Sequence, residues 1–159
     1  MKRFGFTLIE LLVVIAIIGL IASVILASLG AARRKARDGR RLADLKELKL
    51  ALSNFFDDNA RYPDNTEGLN QLSAATNPNC GNQACITVTP KDPNGSDYPY
   101  YQCSTTLYHL GANLEDADHP VLLQDFDAIP SGCSGSPIDS DDGDGCAGEA
   151  GRYCYDTTP

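Results

Sequence analysis

The 159-residue chain has a formal net charge of −8 that is unevenly placed: residues 33–41 sum to +5, whereas residues 42–159 hold nineteen acidic and five basic side chains. So acidic a remainder argues against general nucleic-acid binding, which needs clustered Lys and Arg facing phosphate. About 127 residues follow the first apolar stretch, enough for one modest domain and not two.

Met1-Lys2-Arg3-Phe4-Gly5 is a basic leader too short to fold, with the character of a processing signal. Phe6 to Ala32 is apolar with a single ionisable residue, Glu10, and Leu11 to Ala32 is 22 residues without charge. At about 1.5 Å rise per residue this run matches the hydrocarbon thickness of a bilayer. Thr7-Leu8-Ile9-Glu10 has the spacing of a capping box, with Thr7 at the cap and Glu10 reaching back to its amide. An ionised carboxylate in lipid costs several kcal/mol unless a cation pairs with it. Gly19, Ser23, Ala27 and Ala31 recur every four residues, a stripe that lets helix backbones approach, although Gly and Ala are common in membrane helices anyway. An ordinary secretory signal cut after Gly30 is an alternative that leaves Glu10 and the Gly5-Phe6 register unexplained.

Gly5 followed by Phe6-Thr7-Leu8-Ile9-Glu10 resembles the cleavage and N-methylation motif of type IV prepilins and type II secretion pseudopilins. The resemblance implies that a membrane peptidase cuts after Gly5 and methylates the new N-terminus at Phe6. It also implies that Glu10 pairs with the N-terminal amine of an adjacent subunit during assembly.

The basic run Arg33, Arg34, Lys35, Arg37, Arg40 and Arg41 suits anionic lipid or a neighbouring acidic head. By the positive-inside rule this run argues against a cytoplasmic N-terminus, whereas the cysteines and the resemblance favour one. Leu42, Leu45, Leu48, Leu52, Phe55 and Phe56 then fall three or four apart, which predicts an amphipathic helix with Gly39 as a weak point and Pro63 as its stop. Asp58 to Leu72 resembles the end of the long helix and the following loop of major pseudopilins. Pro90 to Gly95, Tyr98-Pro99-Tyr100 and Tyr108 to Asn113 resemble the same family's connection into its sheet. The loop from Ser73 to Thr89 and the tail from Ala128 depart from it.

Short runs rich in aromatic or branched residues predict strands over Tyr98 to Cys103, Thr106 to Gly111 and Pro120 to Asp125, joined as an antiparallel meander. The expected fold is therefore α+β, a long N-terminal helix packed on a small antiparallel sheet, as in pilins. Six cysteines beyond the apolar segment fit an oxidising compartment. Cys80 with Cys85 closes a compact loop, and Cys133 with Cys146 and Cys103 with Cys154 would fasten the tail to the sheet. His109 and His119 lack the neighbours of nucleophilic catalysis, so no catalytic residue is assigned and the chain is not read as an enzyme.

Asp139, Asp141, Asp142 and Asp144 crowd a glycine-rich loop that is either solvated or a set of hard oxygen ligands suited to calcium. It is no EF-hand, because Gly151 stands where the bidentate glutamate belongs. The pseudopilin resemblance instead implies a calcium site at the Leu110 carbonyl, Asn113, Asp116 and Asp118. No cofactor is required; a structural calcium ion is the one ligand considered.

The expected organisation is a leader (1–5), a membrane or filament-core helix (6–32), an amphipathic outer half (33–61), a connecting loop (62–97), a sheet (98–125) and a Cys/Asp/Gly-rich tail (126–159). The leading functional reading is the subunit of a type IV pilus-like filament. The alternative is the major pseudopilin of a type II secretion system, and a secreted calcium-binding domain is a remote third. Expected partners are further copies of the chain, a prepilin peptidase, an inner-membrane assembly platform and, before assembly, membrane lipid. The expected location is a single-pass membrane protein with its head outside the cytoplasm, then an extracellular or periplasmic filament.

Overall fold

The computed structural model describes residues 7–73, 85–123, 131–133, 138, 146 and 153–159. Helix α1 (Leu8–Asn59) is followed by a short 3-10 turn at Gly68–Leu72, strands β1 (Tyr100–Ser104) and β2 (Leu107–Leu114), a second 3-10 turn at Pro120–Leu123 and strand β3 (Tyr153–Thr157). The three strands form one antiparallel sheet in the order β1-β2-β3. This is the α+β, pilin-like layout expected from the sequence. The chain falls into two compact units, residues 1–36 and 37–159.

In the second unit α1 buries Asp38, Arg41, Leu45, Leu48, Leu52 and Phe55, spaced alternately three and four residues apart as one helical face requires. The apolar part of this face joins Tyr62, Leu69, Leu72, Tyr98, Tyr108, Leu110 and Ala112 in the main core. Edge-to-face contact between Tyr62 and Tyr108, with ring centroids 4.7 Å apart, adds to the burial. The helix does not break at Gly39. It ends at Asn59, ahead of Pro63, where Ala60 takes a left-handed φ of 53° and its amide donates to the Phe56 carbonyl at 2.7 Å.

The sheet corrects two expectations. Pro120–Leu123 is a 3-10 turn, because Pro120 has no amide for a ladder and Leu122 N–H donates locally to the His119 carbonyl at 3.0 Å. The third strand comes instead from the tail, where Tyr153–Thr157 pairs along β2 with Leu110 opposite Thr157 and Leu114 opposite Tyr153. The proposed bridges Cys133 to Cys146 and Cys103 to Cys154 also give way to Cys103–Cys133 and Cys146–Cys154, with Cα separations of 4.4 and 4.6 Å. Cys103 lies on β1 and Cys154 on β3, on opposite sides of β2. Two strand spacings of about 4.8 Å exceed the reach of a disulfide of about 7 Å. Cys85 is also oxidised, while the expected partner Cys80 lies outside the described residues.

Candidate functional site

Two regions concentrate unusual physical chemistry, and each belongs to its own unit. In the first, α1 presents Leu8, Leu12, Ile15, Ile18, Leu20, Val24 and Leu26 to the exterior, each with about half or more of its surface exposed. It is the one helix among the described residues long and apolar enough to cross a membrane. Thr7 N–H and Thr7 Oγ1 both donate to Glu10 Oε2, at 2.8 and 2.7 Å, and Glu10 N–H donates to Thr7 Oγ1 at 3.3 Å. The expected capping box is therefore formed, and it holds the carboxylate at the head of the helix. Gly19, Ser23 and Ala31 are exposed, and a Cβ added at Gly19 meets nothing within 4 Å. Ser23 and Ser28 donate to the Leu20 and Ile25 carbonyls at 2.7 and 3.0 Å, so neither hydroxyl would enter lipid unpaired. Gly5, Phe6 and the side chain of Ala27 lie outside the described residues.

The second region is a buried charge cluster in the head. Arg41, only 1% exposed, donates to Asp92 at 2.5 and 3.1 Å, to Asp38 at 2.6 Å and to Glu115 at 2.9 Å. Asp38, fully buried, also accepts the amides of Glu115 and Asp116 at 3.0 Å each. Arg37 completes a fork on Glu115. Burial alone would lower the pKa of Arg41, but the hydrogen bonds it donates to Asp92, Glu115 and Asp38 outweigh it and hold the guanidinium charged well above its ordinary range. One helix face thus grips both the 90s loop and the chain leaving β2. The sequence reading took residues 33–41 as an undivided basic run and missed this cluster. The available signal was spacing: Asp38 and Arg41 continue the Leu45, Leu48, Leu52 and Phe55 periodicity by one turn.

The remaining candidates sit apart from these regions. Asn113 Oδ1 accepts the Cys146 amide at 2.6 Å, and Asp116 Oδ1 accepts the Asp118 amide at 3.3 Å. Leu110 is fully buried in the middle of β2. Asn113 thus offers its oxygen to a peptide amide, and among the described residues no group of three or more His, Cys, Asp or Glu is placed to hold a metal. Asp139, Asp141, Asp142 and Asp144 lie outside the described residues. His109 is buried against Asp156 of β3, and His119 Nδ1 accepts the Val121 amide at 3.3 Å. Burial, reinforced by a hydrogen bond to Asp44, raises the pKa of Tyr98 above the ordinary tyrosine range; burial does the same for Tyr100 and Tyr108.

Comparison with known proteins places these features in context. A family model described as "Type II secretion system (T2SS), protein G" matches residues 28–118, and a model described as "Prokaryotic N-terminal methylation motif" matches residues 1–26. Relatives named type II secretion system core protein G include one from Vibrio cholerae, 38% identical over 123 residues, covering 72% of this chain and 84% of the relative. The Klebsiella pneumoniae relative is 39% identical over 102 residues (61% and 73%), and that of Pseudomonas aeruginosa 32% over 121 residues (70% and 85%). No solved structure matches the chain.

Proposed function

Because the chain belongs to the type II secretion system protein G family, we propose that it is the major pseudopilin of such a system: a non-enzymatic structural subunit that polymerises through its N-terminal helix. The observation that carries this reading is the family match over residues 28–118 joined to the methylation motif over residues 1–26. It supports the secretion pseudopilus more than the type IV pilus expected first from the sequence; the two share the helix and the processing. In this reading a prepilin peptidase cleaves after Gly5, Phe6 is methylated, and α1 is anchored in the inner membrane with the head outside the cytoplasm. An assembly platform then draws the helix into the filament.

Glu10 has two roles to choose between, local cap and intersubunit partner, and they are compatible. The Thr7 bonds use Oε2 and keep the carboxylate at the helix start, where the amine of an incoming subunit would find it. Gly19, Ser23, Ala27 and Ala31 are proposed as the surface along which neighbouring helices close. The test is co-expression with a prepilin peptidase and a secretion assembly platform, followed by mass spectrometry of the N-terminus and by cross-linking. Methylated Phe6 at the mature N-terminus and a ladder of oligomers that fades in Glu10→Ala are expected. A mature chain beginning at Ala31 would sink the reading. Surface fibres formed with a pilus platform but not with a secretion platform would restore the type IV pilus.

A further inference from the structure

The run of six cations over residues 33–41 is divided by the structure into two groups with different tasks. Arg37 and Arg41 are committed to Glu115, Asp92 and Asp38 inside the head, and Arg40 lies 3.7 Å from Asp44. Arg33, Arg34 and Lys35 are exposed, and among the described residues no ion pair or hydrogen bond engages any of their side chains. We propose that these three form a collar that binds the phosphate headgroups of anionic lipid around the unassembled subunit.

The collar rests on the reading of α1 as membrane-spanning. Leu11 to Ala32 carries no charge over 22 residues, so a helix that crosses the bilayer brings Arg33 out at the headgroup level. Guanidinium groups there form paired hydrogen bonds to phosphate oxygens, and an ammonium adds a point charge. Finally, three consecutive residues turn through about 200° of the helix circumference. A partner protein docking on one side would be met by residues three or four apart, whereas lipid surrounds the helix and is met by a collar. The consequence is a retention device, since leaving the bilayer for a filament requires these headgroups to be released.

The experiment uses the full chain in detergent, titrated with phosphatidylglycerol or phosphatidylcholine and read by native mass spectrometry. Retained phosphatidylglycerol adducts should exceed phosphatidylcholine adducts, and R33Q/R34Q/K35Q should weaken that preference on the order of ten-fold to a hundred-fold. A charge-preserving variant, R33K/R34K, should keep most of it. Equal binding of the two lipids, or a preference that survives in the triple variant, would overturn the collar. Displacement of the adducts by millimolar inorganic phosphate would reassign it to free phosphate. Loss of cross-linking between copies in the triple variant with unchanged lipid adducts would reassign it to a neighbouring acidic head. Alkaline carbonate extraction of membranes separates the two levels: an extractable wild-type chain sinks the membrane-spanning reading, whereas a resistant chain without lipid preference sinks this inference alone.

Discussion

Arg41 and Asp92, 51 residues apart in the chain, meet through two hydrogen bonds of 2.5 and 3.1 Å in a site closed to solvent. Such a fork fixes orientation as well as distance, so the 90s loop is held to α1 in one register.

Removing the cation tests how much the head depends on this fork. Arg41→Met leaves Asp38, Asp92 and Glu115 facing one another without their shared guanidinium, and breaking a buried pair in this way costs about 3 to 5 kcal/mol. Denaturant unfolding of the full chain in detergent, followed by near-ultraviolet circular dichroism, should show that loss. A cost under about 1 kcal/mol would mean that the cluster relaxes to water.

Alkaline pH provides a second test. Burial raises the folded pKa of Tyr98, Tyr100, Tyr108 and Tyr62 above the unfolded value of about 10. Stability from these groups is therefore complete below about pH 10 and falls as pH rises toward the folded values. Tyr98, Tyr100 and Tyr108, whose shifts are the large ones, each add a slope of up to about 1.4 kcal/mol per pH unit in that window. Absorbance at phenolate wavelengths and circular dichroism should change together above pH 10. A folded head in which all seven tyrosines ionise as one ordinary class would contradict the packing.

Much of the architecture could be read from the residues alone. The apolar run, the leucine periodicity and the capping box are local patterns, and local patterns survive into structure. What failed was non-local. Pro120 to Leu123 has the composition of a strand, but Pro120 has no amide and those of Val121 and Leu122 are spent locally on His119, and Tyr153–Thr157 has the alternation of a strand but lies beyond a long Gly- and Asp-rich stretch that obscured its partner. The disulfide pairing failed with it, because pairing depends on which strand flanks which. Arg41 was misread for the opposite reason: a cation in a basic run looks solvated unless its carboxylates, distant in sequence, are known.

Gly111 fixes where the tail folds back. An added Cβ would lie 2.7 Å from Cys146 Sγ and 3.4 Å from its Cβ, and the sulfur is tied to Cys154. Gly111→Ala should therefore cost about 1 to 3 kcal/mol. Much of that should disappear in a Cys146→Gly/Cys154→Ser background, measured as a double-mutant cycle. Strict additivity would place the strain elsewhere.

Two backbone substitutions should act in the stabilising direction. Ala60 holds a left-handed φ that glycine adopts freely, so Ala60→Gly should gain about 1 kcal/mol. Gly39 lies inside α1 with open space where a Cβ would go, and Gly39→Ala should gain a similar amount. Thermal melts of the two single variants and the double variant check both gains; a lower midpoint for either would contradict its local geometry.

Strand order also sets a timetable. β2 pairs with β1 across a two-residue turn, but its other neighbour, β3, is made roughly forty residues later. At a synthesis rate of about 5 to 20 residues per second, the far edge of β2 waits several seconds for its natural mate. An unpaired edge of that kind is a template for any extended chain nearby. Vectorial emergence on the far side of a membrane would therefore create a short period in which this subunit is most exposed to mispairing, and the arrival of Tyr153–Thr157, locked by the Cys146–Cys154 bridge, would bring it to an end.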